Sequence, residues 1–456
     1  MIEPVGYRLF TALARFLAGL FYRRVEVAGL DRVPPSGPLV VAANHQQGLM
    51  DGMLLAAVLP RRLRPIAKAP LFRYPVIGQI ARLAGAIPVH RRQDEGGSRP
   101  ADNQSMFGAA REALEHGEAL LIFPEGMSQP EPTLMPLRTG AARLLLGADG
   151  GRGGGPAATL LPVGLMFHEP GTFRIGSAFV LIGDPVAAGD LDALPAGKRD
   201  EAVRRLTERL EGALQQLIVE ARDRHTLALV HCAEDIWREE MPDAARDPKD
   251  RAVWRQRAAR AHRYLMAVEP VRTGALRGRL ERYVKDLELA GLTDRDLSRG
   301  YRPAGVLRYA LREGLALALG LPLALWGVLN HIAPYQATKV LVRALRPEAD
   351  VLATYKVVVG LALYPLCWLV EGWTAYRLGG GRILGIFLAA LLPTGFFALT
   401  WTERLARVRR EARGLLTVLL DRDLRAHLLG RRRAIMAEFQ ELLRRVPEPV
   451  LEGAGW

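Results

Sequence analysis

Cysteine is nearly missing from this chain of 456 residues: only Cys232 and Cys367 occur, far apart and with no second Cys or His at metal-ligand spacing. That excludes a disulfide framework and a thiolate zinc site, and it suits a functional part on the cytoplasmic side of a membrane. The pentapeptide Gly-x-Ser-x-Gly is missing too, which argues against an ester hydrolase built on a serine elbow. Lysine is scarce, so the 62 cations, set against 48 anions for a formal charge of +14, are nearly all arginine. A surface of this kind seeks phosphate in nucleic acid, anionic lipid headgroups or phosphorylated substrates. The length itself allows roughly two to four folding units.

From Pro4 to Arg24, Val5, Leu9, Leu13, Phe16, Leu17, Leu20 and Phe21 recur at helical spacing, with Arg8 and Arg15 on another face. This pattern predicts an interfacial amphipathic helix, the plainer alternative being a helix that packs on a core. It has neither the uninterrupted apolar stretch nor the small-residue cleavage site of a signal peptide.

Short apolar runs then alternate with helical patterns: Leu39 to Ala43, Ala86 to Val89, Leu120 to Phe123, Leu160 to Leu165 and Val180 to Ile182. Strands alternating with helices predict an α/β sheet domain. The glycine-rich tract Gly147 to Pro156 has no Lys-Ser/Thr continuation of a nucleotide-binding loop and reads as a surface loop. Beyond residue 190, Leu206, Leu210, Leu214 and Leu217 mark packed helices.

The last third changes character, with apolar segments near 314–333, 352–371 and 383–401 that carry Pro322, Pro365 and Pro393. Their lengths permit membrane spans, although Lys356 and Glu371 shorten the second, so the count is two or three. Arg302, Arg308 and Arg312 precede this region and Arg404, Arg407, Arg409, Arg410 and Arg413 follow it, which favours two cytoplasmic ends and an even number of spans. The chain thus divides into an interfacial helix at 1–24, an α/β domain at 25–190, a helical domain at 191–312, membrane-embedded helices at 313–402 and basic helices at 403–456.

Chemistry concentrates at strand ends. Pro38-Leu-Val-Val-Ala-Ala-Asn44-His45 reads as a strand that hands over to a helix bearing Asp51. Open α/β sheets expose their reactive groups at such carboxyl ends, and an Asp a few residues on can turn back to hold an imidazole nitrogen. Such a pair is weak evidence alone. Three further blocks follow in order: Gly85-Ala-Ile-Pro-Val-His90-Arg91-Arg92, Phe123-Pro-Glu125-Gly126-Met-Ser128, and Leu161-Pro-Val-Gly-Leu-Met-Phe.

Together, the four blocks resemble the glycerol-3-phosphate and 1-acylglycerol-3-phosphate acyltransferase family over residues 25–190, as does Lys68-Ala-Pro-Leu-Phe-Arg-Tyr-Pro-Val-Ile-Gly78 between the first two. Two features depart from the usual pattern: five residues in place of four separate His45 from Asp51, and Met127-Ser128 stands where Thr-Arg is common. The longer spacing, the Ile87 to Asp94 run, the Leu134 to Ala142 run and Ala349-Asp-Val-Leu-Ala-Thr-Tyr-Lys356 resemble the fungal-type glycerol-3-phosphate/dihydroxyacetone-phosphate subgroup. In that subgroup Arg138 would supply the basic group missing after Gly126.

The resemblance implies a membrane-bound O-acyltransferase with His45 and Asp51 catalytic and with Asn44, Gly85, Arg91, Glu125, Gly126, Ser128 and Arg138 binding substrate. His suits the base, since an imidazole's ordinary pKa of about 6.5 lets it take a proton near neutrality. Arginine suits the acceptor's phosphate because its fork binds in a bidentate manner, which favours Arg91 and Arg138, though a solvated or headgroup-binding Arg91 is the simpler alternative. The amides around Glu125 and Gly126 are placed to approach a phosphate or an oxyanion, Glu125 itself orienting other groups. No covalent intermediate is needed, and neither Ser128 nor Cys232 has a nucleophile's setting.

The expected partners are an acyl-CoA or acyl-carrier-protein donor, a phosphorylated glycerol acceptor and anionic lipid, with no cofactor and no metal. A bacterial inner membrane with the site facing the cytoplasm is the expected location. Within the enzyme class the alternative acceptor is 1-acylglycerol 3-phosphate or another lysophospholipid. From another class, the chain could be a silent lipid-binding membrane protein. Nucleic acid is disfavoured, because the cations flank apolar segments and do not form a stripe with interleaved aromatics.

Overall fold

The computed structural model describes residues 5–90, 103–147, 158–168, 173–174, 176–192, 198–219, 230, 232–234, 236–237, 248–298 and 303–452. Two compact units emerge. The first comprises Met1–Leu227, Arg246–Ala259 and Pro347–Val358, and the second Ala228–Ala245, Arg260–Arg346 and Val359–Trp456.

The first unit is built on seven strands, β1 (Arg24–Ala28), β2 (Leu39–Ala43), β3 (Leu63–Lys68), β4 (Ile87–Val89), β5 (Ala119–Ile122), β6 (Thr159–His168) and β7 (Ser177–Ile182). They lie in the order β1-β7-β6-β2-β5-β3-β4. Every neighbouring pair is parallel except β6 with β7. β2 is central and wholly buried, which is why Leu-Val-Val-Ala-Ala is apolar at every position and does not alternate.

Helices α1 (Val5–Phe21), α2 (Leu49–Val58), α3 (Pro75–Leu83), α4 (Gln104–Glu115), α5 (Gly140–Leu145), α6 (Gly189–Asp192) and α7 (Arg199–Leu217) accompany the sheet. One core joins Val40, Ala42 and Leu120 to Leu114 of α4, Leu144 of α5 and Leu206, Leu210 and Leu214 of α7. The domain edge expected at residue 190 therefore falls inside a single core, because α7 closes one face of the sheet.

The expected strands are all present, with ends shifted by a few residues. β1 and β3 were not legible: β1 is a five-residue edge strand, and β3 carries Arg64, Pro65 and Lys68. Pro65 stands where β3 changes neighbour, from β5 over Leu63–Pro65 to β4 over Ile66–Lys68, so the missing donor falls at the seam.

α1 is the helix expected at 1–24, and it lies within the first unit. It packs against α2 and buries Tyr7, Phe10, Ala14, Leu17, Ala18 and Phe21, while Val5, Leu9 and Phe16 stay exposed. The Tyr7 hydroxyl oxygen also accepts from the Leu63 amide of β3 at 2.7 Å.

In the second unit, the helices Pro270–Ala290, Asp294–Ser298 and Arg422–Leu443 share a core around Tyr283, Leu287, Leu428 and Ile435. Among the described residues, two helices are long and apolar enough to cross a membrane, Val306–Leu345 and Leu352–Thr417. The second is broken at Gly379 and Gly380, so the apolar region holds three helical stretches, as its three sequence segments predict. A Cβ on Gly327 would lie 2.2 Å from Thr394 O, so small residues let the stretches approach closely. Leu315, Leu319, Leu369, Val370 and Ile386 remain exposed along them. The tract 147–156 lies outside the described residues beyond Gly147.

Candidate active site

β2 ends at Ala43, and the main chain leaves the sheet. The Asn44 side chain prolongs the ladder by one residue: its Nδ2 donates to Leu165 O at 2.9 Å, and its Oδ1 accepts from Leu165 N at 2.6 Å. Asn44 therefore fixes where the strand stops. Those two bonds give it a positioning contact in the sheet.

His45 follows at the carboxyl edge. Its Nδ1 lies 2.8 Å from Asp51 Oδ2, and its ring stacks on Phe123 with centroids 4.0 Å apart. Asp51 is the third residue of α2, and the same Oδ2 accepts from the amides of Gln46 at 2.7 Å and Gln47 at 2.8 Å. Amides left unpaired at a helix start favour an anion there. The turn closes because Gly48 adopts φ 55° and ψ −125°, a backbone that a side chain resists. Thus the loop with five intervening residues returns Asp51 to His45. A carboxylate only accepts, which assigns the proton to Nδ1 and leaves the Nε2 lone pair as the basic site.

β5 runs beside β2, and its own carboxyl end brings in the second block. Glu125, 3% exposed, accepts the His45 amide on Oε1 at 2.7 Å and the Met135 amide on Oε2 at 2.9 Å. Burial pushes its carboxyl up to about 7, against those two amides, which pull it down. Glu125 thus ties the loop after β2 to the loop after β5. Gln129 N donates to His45 O at 3.0 Å and adds a second tie.

Gly126 has φ 76°, and its amide donates to Phe123 O at 3.0 Å. That donor closes the turn after β5. The glycine's missing side chain matters too: a Cβ there would stand 3.3 Å from Arg138 Cγ, so Arg138 lies across the glycine with its side chain exposed. Ser128 is also engaged, its Oγ donating to Asp350 Oδ2 at 2.5 Å.

One expected residue falls elsewhere. Gly85 precedes β4, and since the strands of this half of the sheet are parallel, it sits at the edge opposite His45. It turns the chain with φ 68°, and its carbonyl accepts from Arg64, which also pairs with Glu118 ahead of β5. Arg91 lies outside the described residues. Conversely, Lys68, exposed at the carboxyl end of β3, is a cation on the catalytic edge that motif spacing did not single out.

The comparisons point the same way. Residues 24–166 match the acyltransferase family, a span that contains His45, Asp51, Glu125, Ser128 and Arg138. The chain is 24% identical over 312 residues to an uncharacterized acyltransferase of Schizosaccharomyces pombe, covering 49% of this chain and 45% of that protein. It is 34% identical over 143 residues to 1-acyl-sn-glycerol-3-phosphate acyltransferase alpha of Mus musculus, covering 31% of this chain and 47% of that protein. Against 1-acyl-sn-glycerol-3-phosphate acyltransferase of Bacillus subtilis the identity is 28% over 200 residues, covering 42% of this chain and 91% of the relative. The chain therefore spans less than half the length of the first two.

Proposed function

From the premise that residues 24–166 form a domain of the acyltransferase family, we propose that the chain transfers an acyl group from a thioester to a hydroxyl of a phosphorylated glycerol, with His45 as general base. The observation that carries this reading is the 2.8 Å contact of His45 Nδ1 with Asp51 Oδ2 at the carboxyl edge of β2.

Nε2 takes the proton of the acceptor hydroxyl as its oxygen attacks the thioester carbonyl carbon. A C–O bond forms, the C–S bond breaks, and the thiolate leaves with the proton returned from Nε2. Asp51 holds the ring in the tautomer this needs and stabilises the imidazolium that forms. Phe123 keeps the ring plane fixed. Placing both substrates before reaction can supply several kcal/mol of the barrier, so no covalent intermediate is required. Arg138 and Lys68 are the described cations suited to the acceptor's phosphate, and Arg91 keeps that role by resemblance.

Glycerol 3-phosphate, or dihydroxyacetone phosphate, is the acceptor that the five-residue spacing favours. A second reading, 1-acylglycerol 3-phosphate, is supported by the names of the mouse and Bacillus subtilis relatives. The two apolar helices support a membrane location, and the flanking arginines support a site on the cytoplasmic side. Anionic lipid is then the partner of the basic surface.

Membranes carrying the chain are to be incubated with labelled acyl-CoA or acyl-carrier protein and a panel of glycerol 3-phosphate, dihydroxyacetone phosphate and lysolipids. Labelled ester is expected with a phosphorylated glycerol and is expected to vanish in His45→Ala. Full activity in His45→Ala would sink the mechanism.

A further inference from the structure

Residues Pro347–Val358 belong to the first compact unit although the chain on both sides of them belongs to the second. Within this strap Asp350, Ala353, Thr354 and Val357 are buried. Asp350 and Thr354 make polar contacts with two short loops. Ser128 Oγ donates to Asp350 Oδ2 at 2.5 Å, and the Leu49 amide donates to Thr354 Oγ1 at 3.2 Å. Thr354 Oγ1 in turn faces Gln47 O at 3.5 Å. Between these contacts, a Cβ on Gly48 would meet Thr354 Oγ1 at 3.2 Å, Val351 Cγ1 at 3.5 Å and Asp350 O at 3.6 Å.

We propose that this strap is part of the active site, and that Asp350 and Thr354 are positioning residues that hold the His45–Asp51 turn and the Ser128 loop in register. The proposal rests on the acyl-transfer reading and adds a component from far downstream in the sequence.

The physical argument starts at the first turn of α2. A helix start leaves amides without helical partners, and an N-cap side chain ordinarily meets one of them. Gly48 occupies that position and has no side chain to offer. Thr354 takes over the task by accepting from Leu49, and it stands where any side chain at residue 48 would have to go. The glycine that turns Asp51 back to His45 is therefore matched to the strap, in both its backbone angles and its bareness.

Asp350 acts on the other loop. A buried carboxylate without a partner is costly, and the Ser128 hydroxyl answers it. Ser128 stands three residues after Glu125, the side chain that grips the His45 amide. Strap, turn and loop so form a closed ring of contacts: Thr354 to Leu49, Asp51 to His45, His45 to Glu125, and Ser128 to Asp350. The strap's contacts to Leu49, Gln47 and Ser128 fall on the turn and loop that carry His45, Asp51 and Glu125, so it braces that edge.

The test uses the full chain in membranes or detergent, with Thr354→Val, Thr354→Ser, Asp350→Ala, Ser128→Ala and the Ser128→Ala/Asp350→Ala pair, and His45→Ala alongside. Hydrogen exchange of peptides covering 45–51 and 126–131 is read together with kcat and KM. Thr354→Val and Asp350→Ala are expected to lower kcat by roughly 10- to 100-fold, with a smaller change in KM for the acceptor, because slight misplacement of reacting groups has effects of that order. Thr354→Ser keeps the acceptor oxygen and is expected to recover kcat. The double variant is expected to be no worse than the poorer single, as for two groups acting through one bond.

Exchange in 45–51 is expected to quicken in Thr354→Val and not in Thr354→Ser, while peptides of β5 stay as slow as in the parent, which shows that the fold persists. Parent-like kcat and exchange in Thr354→Val and Asp350→Ala, beside an inactive His45→Ala, would overturn the strap and leave acyl transfer standing. An active His45→Ala, or no acylated acceptor at all, would defeat the acyl-transfer reading. The exchange result would then still decide whether the strap holds the turn.

Discussion

At Asp51 a single carboxylate oxygen, Oδ2, accepts from the ring of His45 and from the amides of Gln46 and Gln47. Asn at this position keeps the size but offers either one acceptor or a pair of donors, so it cannot satisfy all three groups in one orientation. If its amide nitrogen faces the ring, Nδ1 must become the acceptor and Nε2 carries the proton, which removes the base. Asp51→Asn is therefore expected to lower kcat by about 10²- to 10⁴-fold at neutral pH, the scale seen when a triad carboxylate is replaced by its amide. Steady-state kinetics on membranes would check this, and a loss under threefold would argue that the His45 tautomer is set by something else.

Glu125 yields a prediction of a different kind. Its carboxyl is raised to about 7 in the folded chain, above the ordinary value of 4.5 that it regains on unfolding. The native state therefore holds the proton more tightly, and the stability this brings is fully present below about 4.5 and lost as pH rises to about 7. The difference is worth about 3 kcal/mol at 1.4 kcal/mol per pKa unit. Glu125→Gln should flatten the fall of the thermal midpoint between pH 5 and pH 8 in detergent, and it should lower the midpoint at acid pH by giving one of the two amides a poorer partner. A parallel fall in parent and variant would show that another group carries the pH dependence.

At the scale of elements, β6 and α7 meet at Gly164 with almost no clearance. A Cβ there would lie 2.6 Å from Leu217 O and 2.8 Å from Leu217 Cβ, so the end of α7 would have to lift from the sheet. Gly164→Ala is expected to cost about 1 to 3 kcal/mol, as overpacked cores do. It would appear as a lower thermal midpoint with unchanged activity per folded molecule, since Leu165 keeps its pairing with Asn44. A midpoint equal to the parent's would mean that the helix end yields freely.

What the sequence disclosed follows from how local each signal is. β2 and β5 are apolar along their length because both faces are covered, and His45 and Glu125 sit two and three places beyond them. Period and spacing suffice for such cases. β1 and β3 failed that test because edge position and a pairing seam admit Arg24, Glu26, Arg64 and Pro65. α1 showed the right helical period, but its buried face is shared: Leu17 and Phe21 of the expected stripe turn inwards beside Tyr7, Phe10 and Ala14, while Leu9 and Phe16 stay exposed. Gly85 was misplaced for a related reason: a motif names a strand, and only the parallel topology says which end of it faces the chemistry. Asp350 and Thr354 lie in the 349–356 run that resembles the subgroup, but what they hold was not legible, because their contacts reach back 222 residues to Ser128 and 305 to Leu49.

For the whole molecule the open question is what holds it to its substrate. Two forces are available, the formal charge of +14 and the apolar helices Val306–Leu345 and Leu352–Thr417. They differ in their response to salt. At 1 M ionic strength charge attraction is screened within about 3 Å, so a chain bound through arginines alone would leave the bilayer. Exposed leucines along helices of this length lose nothing in salt, because burial of apolar surface does not depend on ionic strength in that way and spanning helices keep their backbone groups paired in lipid. The chain is expected to stay in the membrane pellet in 1 M sodium chloride and in alkaline carbonate, and to enter the supernatant only with detergent. Release by salt would place it at the surface and would remove the membrane-embedded reading of residues 313–402. Release by carbonate but not by salt would mark the apolar helices as lying on the bilayer and not through it.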